Sequence, residues 1–172
     1  MKKIGYLLTC FLLSFLVACG GSNTEGTLIT FLDETITEKD AENARVTPEE
    51  TLEDAAKDLL FQEMMLVEAE QAGISFDQFD LDALVNQTQQ LFEYDQEAIS
   101  FLNAKSELYN ISPEEYIETI WRDGLRKKLI ANNYLAEFID FQSLQPEDVQ
   151  SEVEKIRNEL LAKYEDQIEY HF

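Results

Sequence analysis

The sequence predicts an all-α, that is mainly helical, multi-helix domain with one short β-hairpin near its N-terminus. The first reason is a repeated helix-start signal, a hydroxyl residue followed by proline and two glutamates, at residues 47–50 and 112–115. The second reason is that apolar residues recur every three or four positions over most of residues 47–164, which is the spacing of amphipathic helices.

The N-terminal part of this domain carries the longer of two strand signals. Residues 27–36, TLITFLDETI, show partial alternation of β-branched residues, which favours a strand or a small hairpin that turns at Asp33-Glu34. Thr37, followed by acidic residues, is the expected cap of a short helix that ends near Asn43.

The remaining elements are helices with recognisable ends. They are predicted over residues 47–72, 80–92, 95–109, 112–139 and 145–164. Gly73 and Asn110 suit the left-handed position that often follows a helix. Residues 166–172 are open between a frayed end and a short strand, and whether the last helix folds back onto the body also stays open.

The helix over residues 112–139 is the element around which the domain is expected to form. Its apolar residues share one broad face: Ile117, Ile120, Trp121, Gly124, Leu125, Ala131, Leu135, Phe138 and Ile139. So wide a stripe suits a helix with more than one packing partner. Lys128 lies in the middle of this face, and Glu63 lies in the middle of the apolar face of the helix over 47–72. Because a lone buried charge is costly, we expect these two side chains to form an ion pair.

The N-terminus resembles a bacterial lipoprotein signal. Lys2 and Lys3 precede an apolar run at residues 4–17, and the sequence LVAC ends at Cys19. By this resemblance residues 1–18 are a signal peptide, and the Cys19 thiol carries diacylglycerol that anchors the chain to the extracytoplasmic face of a bacterial cell membrane. Residues 19–27 then form a flexible tether. An ordinary secretory signal or an uncleaved anchor is the alternative.

Composition excludes several functions. With 35 acidic residues against 13 lysines and arginines, the net charge is −22, which argues against nucleic acid as a partner and favours cationic partners or a solvated acidic surface. The only histidine is His171, and no Cys/His cluster or glycine-rich phosphate loop is present in the sequence. No metal, cofactor or catalytic residue is therefore predicted, and the chain is not expected to be an enzyme.

The helix order resembles that of SurA- and PrsA-type chaperones. The resemblance lies in DLLFQEMMLVEAEQAGI at residues 58–74, in ITEKD at 36–40, in LYNISPEEY at 108–116 and in the leucine-rich stretch at 125–135. It implies a helical chaperone domain over residues 28–140, similar also to the substrate-cradling arms of trigger factor, followed by a C-terminal helix and tail over 141–172. No stretch of this chain matches the parvulin prolyl-isomerase domain that such relatives often carry.

The resemblance implies a membrane-anchored protein that binds unfolded or exported polypeptides without catalysis. Its candidate client-binding side chains are Phe61, Met65, Phe92, Phe101, Tyr116 and Trp121. Each of them also suits a hydrophobic core, and the hairpin or the last helix is the expected cover for Phe61 and Met65 if they are not exposed. A dedicated interaction module of a cell-envelope complex is the alternative function, and a prolyl isomerase is disfavoured.

Overall fold

The computed structural model describes residues 26–45, 47 and 49–172. The strands are β1 (Thr27–Phe31), β2 (Glu34–Thr37) and β3 (Ile168–Tyr170). The helices are α1 (Glu38–Ala44), α2 (Leu52–Ala72), α3 (Leu81–Tyr94), α4 (Gln96–Tyr109), α5 (Pro113–Tyr116), α6 (Arg122–Ala136) and α7 (Pro146–Lys163). The prediction of a mainly helical domain with a short N-terminal β element is confirmed.

Most helix starts lie at the predicted caps. Thr37 and Asp40 exchange hydrogen bonds in a capping box at the start of α1. Asp80, Asp95 and Ser112 each accept a backbone N–H at the start of the helix that follows. The start of α2 is a correction, because Thr51 rather than Thr47 is its N-cap and accepts the N–H of Asp54. The two threonines lie one helical turn apart, and each is followed by acidic residues, so both fit the same signal.

The three strands form an antiparallel sheet in the order β2-β1-β3. The hairpin between β1 and β2 turns at Leu32-Asp33, one residue before the predicted turn. Leu32 has φ 51°, in the left-handed region, whereas Asp33 does not have a positive φ. The end of the chain forms the short strand β3, and α7 packs against α2, so the C-terminal segment folds back onto the body.

Two hydrophobic cores fill the molecule. The first core lies among the sheet, α1, α2, the C-terminal half of α6 and α7, with Ile29, Leu60 and Met64 fully buried. The second core consists of Val85, Leu102, Tyr116 and Ile117, with partly buried residues from α3 to α6 around them. The two cores lie on opposite sides of the inter-core groove described below.

One continuous helix connects the two cores. It begins with α5, passes through a π-helical segment at Ile117–Trp121 and continues as α6 to Ala136, with helical dihedrals at both junctions. Tyr116 and Ile117 lie in the second core, whereas Ala131 and Leu135 lie in the first. The helix over 112–139 therefore has more than one packing partner, as its broad apolar stripe predicts.

Candidate functional site

A groove of about 550 Å³ separates the two cores, and we call it the inter-core groove. One wall is formed by β2, α1 and α2, through Glu34, Thr35, Ile36, Asp40, Asn43, Leu59 and Glu63. The other wall is formed by α4 and the continuous helix, through Phe101, Tyr109, Tyr116, Ile120, Trp121, Gly124, Leu125 and Lys128. Its volume lies within the range of sites that hold a small organic ligand or a few side chains.

Three of the six predicted client-binding residues line this groove. Phe101 is 41% exposed, Trp121 is half-buried, and Tyr116 is buried. Phe92 lies in the second core, where its ring meets Trp121 edge-on with the ring centroids 6.1 Å apart. Phe101 meets the same indole edge-on at 6.4 Å. The aromatic wall is therefore a small cluster of mutually supporting rings.

Phe61 and Met65 belong to the first core and are a correction to the predicted site. Each is only 5% exposed, so neither side chain is accessible to a client. The guanidinium of Arg157, from α7, lies 4.5 Å from the centroid of the Phe61 ring. The physical reason is that α2 is the central helix: the sheet, α1, α6 and α7 all pack against it, so apolar residues are needed on more than one side.

The predicted ion pair is wrong by one residue. Glu63 accepts a hydrogen bond from Lys127 at 2.9 Å, whereas Lys128 is exposed on the wall of the groove. A helical wheel with a constant rotation per residue does not hold across the π-helical segment, where hydrogen bonds run from i to i+5. The apolar stripe also packs against two cores that lie in different directions. The average direction of the whole stripe therefore differs from the direction of Glu63.

Two groups that line the groove, Lys127 and Tyr116, have shifted pKa values. Burial is the largest single influence and would lower the pKa of Lys127, but the hydrogen bond to Glu63 and the negative charges of Glu63, Asp123 and Glu34 together outweigh it, and the pKa is raised. Burial raises the pKa of Tyr116, although its hydrogen bond to Asn43 opposes that shift. Tyr116 therefore stays a neutral hydrogen-bond donor, and Lys127 stays charged at neutral pH.

The sequence did not point to several residues of the groove. Thr35 contributes from an edge strand, and the side-chain Oδ1 of Asn43 accepts a hydrogen bond from the Tyr116 hydroxyl at 2.6 Å. Gly124 lies on the groove wall inside a helix, and a methyl group on its Cα would have no neighbouring side chain within 4 Å. The one available signal was Gly124 itself, because a glycine inside a long helix is unfavourable unless space is needed there.

Membrane-spanning helices and metal-binding clusters are both absent from the described residues. Within residues 26–45, 47 and 49–172, no helix is both long enough and apolar enough to cross a membrane. In the same ranges, no group of three or more His, Cys, Asp or Glu side chains is arranged to hold a metal ion. Cys19, the predicted lipidation site, lies outside the described residues.

Comparison with known proteins adds no relative. No protein-family model matches the chain, and neither a curated protein nor a solved structure matches it. The fold and the groove therefore carry the functional argument.

Proposed function

We propose that this chain binds unfolded or exported polypeptides in the inter-core groove, without catalysis, as a chaperone-like lipoprotein. The observation that carries the proposal is the groove itself, which presents the rings of Phe101 and Trp121 to solvent between two separately packed cores. Apolar surface in a concave site is what a segment with exposed apolar side chains would bind.

The affinity of such binding would be modest, and the groove would accept many client sequences. Shielding one large apolar side chain from water contributes roughly 2 kcal/mol, so a few contacts give weak and reversible association. The net charge of −22 favours clients that carry basic residues next to apolar ones.

The test is suppression of aggregation. All described strands and helices lie within residues 26–172, so a chain that begins at residue 20 retains them. Aggregation of reduced lysozyme, a basic secreted protein, would be followed by light scattering with and without this chain at equal molar amounts. We expect suppression, and its absence with lysozyme and with two further unfolded clients would contradict the proposal.

A matched pair of variants assigns the activity to the groove. Phe101→Ser removes an exposed ring from the groove wall, so it should reduce suppression. Phe138→Ser removes a ring that is 63% exposed and lies outside the groove, so it should leave suppression unchanged. Equal effects of both variants would indicate that general surface hydrophobicity, rather than the groove, is responsible.

The membrane anchor is a separate part of the proposal. In a bacterial host fed with an alkyne-labelled fatty acid, the full chain should become labelled, because the LVAC sequence ends at Cys19. Cys19→Ser should abolish the label, and Cys10→Ser should not. Labelling that persists in Cys19→Ser would exclude this thiol as the lipidation site.

A dedicated interaction module is the second candidate, favoured by an exposed apolar pair at the end of α3. Tyr94 is 82% exposed and Leu91 is 59% exposed, and both lie outside the inter-core groove. Purification from native membranes separates the two functions. One stoichiometric partner that is lost in Leu91→Ser would favour the module, whereas many exported proteins would favour the chaperone.

A further inference from the structure

The wall of the inter-core groove opposite the aromatic rings is the free edge of the sheet. In the strand order β2-β1-β3, β2 is an edge strand, paired on one side with β1. Glu34 and Thr35 of this strand are exposed and line the groove. A strand edge carries backbone N–H and C=O groups that can pair with another extended chain.

The register of the sheet shows which backbone groups face the groove. The N–H of Leu32 donates to the carbonyl of Gln167, and the N–H of His171 donates to the carbonyl of Leu28. Even-numbered residues of β1, Thr30 included, therefore direct their peptide groups toward β3. Thr35 lies opposite Thr30, so these two residues form a pair without mutual hydrogen bonds. The N–H and C=O of Thr35 consequently point away from β1, toward the groove.

The facing helix leaves open space at Gly124. Gly124 lies within α6 on the groove wall, and a Cβ added there would meet nothing within 4 Å. Packing in this structure does not require a glycine, although glycine weakens the interior of a helix. Close approach of another backbone is a physical reason for a glycine at such a position.

A second feature of the helical wall, the wall that faces β2, is an unpaired hydrogen-bond donor. The Nε1–H of Trp121 is buried and has no hydrogen-bond acceptor among the residues that the structure describes. Buried indole N–H groups usually have an acceptor. The indole lines the same groove, at the position one helical turn before Gly124.

We propose that an extended polypeptide segment enters the inter-core groove as a fourth strand beside β2 and pairs with the backbone of Thr35. Its side chains on one face would contact the helix surface around Ile120 and Gly124, and basic side chains would lie near Glu34 and Asp123. This inference rests on the proposed function and specifies how the client is held. Backbone pairing explains how one groove accepts many sequences, because main-chain hydrogen bonds do not depend on side-chain identity.

The decisive experiment uses backbone methylation of a peptide probe. The probe is a fluorescein-labelled peptide of about ten residues in which valine and lysine alternate, and binding to the full chain in nonionic detergent is followed by fluorescence anisotropy. Alternate residues of a strand direct their N–H groups to opposite edges. Methylation of the valine nitrogens blocks one edge, and methylation of the lysine nitrogens blocks the other.

Strand addition predicts that one methylated peptide binds at least about tenfold more weakly than the parent while the other stays within about threefold of it. Equal affinities of the two methylated peptides, or no binding of the parent peptide, would overturn the inference. Aggregation suppression that persists in either case would leave the proposed function standing, whereas loss of both activities would remove both.

Variants of the protein test the same edge. Thr35→Pro removes the N–H that points to the groove, so it should weaken binding of the parent peptide about tenfold. The variant should still fold, because an edge strand tolerates proline where its N–H is unpaired. Thr35→Val keeps this N–H and should bind within about threefold of the original chain. Gly124→Leu fills the facing wall and should abolish binding. Circular dichroism checks each fold, and if Thr35→Pro fails to fold, the methylated peptides decide. Unchanged binding in a folded Thr35→Pro would refute backbone pairing.

Discussion

The hydroxyl of Tyr116 donates a hydrogen bond to Oδ1 of Asn43 across 2.6 Å, and this bond connects the second core to α1 beside the first core. The ammonium of Lys105, from α4, donates to the carbonyls of Glu42 and Asn43 at 2.6 and 2.8 Å, so it also holds the end of α1. These polar contacts therefore link the two cores at the Asn43 side of the inter-core groove, in addition to the continuous helix.

Loss of the Tyr116 hydroxyl should weaken this connection. Tyr116→Phe keeps the buried ring and removes one hydrogen bond, so we expect the free energy of unfolding in urea to fall by about 1 kcal/mol. Tyr109→Phe is the matched control, because Tyr109 packs beside Tyr116 with the ring centroids 6.0 Å apart but lies at the partly buried margin of the second core. A change no larger in Tyr116→Phe than in Tyr109→Phe would show that the bond to Asn43 is not stabilising.

The ion pair between Glu63 and Lys127 should be measurable by a double-mutant cycle. Both side chains are mostly buried, with 15% and 28% exposed, so their coupling should reach about 1 kcal/mol. The cycle combines Glu63→Gln with Lys127→Met and compares unfolding free energies. The same cycle with Lys128→Met should give no coupling, because Lys128 is exposed on the groove wall and Glu63 bonds to its neighbour. Equal coupling in both cycles would contradict the pairing.

A carboxylate between α2 and α7 should make stability depend on pH. Burial is the largest single influence and would raise the pKa of Glu68, but the hydrogen bonds from Lys163 and the Tyr164 hydroxyl and the charge of Lys163 together outweigh it, so the pKa is lowered from its ordinary value of 4.5. A lowered pKa means that the native state favours the charged form. The stabilisation is therefore fully present above about pH 5 and is lost as the pH falls through the native pKa.

The corresponding variant is Glu68→Gln. At pH 7 it should lower the free energy of unfolding by about 1–2 kcal/mol, and the difference from the original chain should shrink at acidic pH. Glu70→Gln, on an exposed position of the same helix, should stay within about 0.5 kcal/mol at every pH. Chemical denaturation at pH 7 and pH 3 makes the comparison, and a pH-independent loss in Glu68→Gln would contradict the argument.

The hairpin turn holds a leucine in a conformation that favours glycine. Leu32 has φ 51° and is 44% exposed, so its side chain contributes little packing to offset the steric cost. Leu32→Gly should raise the free energy of unfolding by about 0.5–1 kcal/mol, and thermal denaturation would detect the change. Asp33→Gly should not stabilise, because Asp33 does not have a positive φ. Destabilisation by Leu32→Gly would mean that the side chain matters more than the backbone.

Local signals in the sequence were sufficient to predict the helices and most of their ends. Ser112 is an N-cap as expected, and Asp80 and Asp95 are N-caps at the first residues of their predicted helical stretches. Gly73 and Asn110 adopt the left-handed conformation that follows a helix. These features depend on a few neighbouring residues, so they can be recognised without the rest of the fold. The start of α2 was misplaced because two threonines one turn apart carry the same signal.

The candidate site was only partly predictable. Phe101, Tyr116 and Trp121 line the groove, but Phe61 and Met65 are core residues, and their periodicity could not distinguish these outcomes. An apolar side chain on a helix gives the same sequence pattern whether it packs against another helix or is exposed to solvent. Which lysine pairs with Glu63 depends on the π-helical segment, and no local signal in the sequence predicts that segment.

By itself, the sequence determined the mainly helical class, most of the helix boundaries and the expectation that the helix over 112–139 packs against more than one partner. Only the tertiary structure decided that the packing forms two cores, that α7 and β3 return to the first of them, and that a groove bordered by Thr35 and Gly124 lies between them. The reason is that caps and periodicity are properties of neighbouring residues, whereas a groove is the space left between elements distant in the chain.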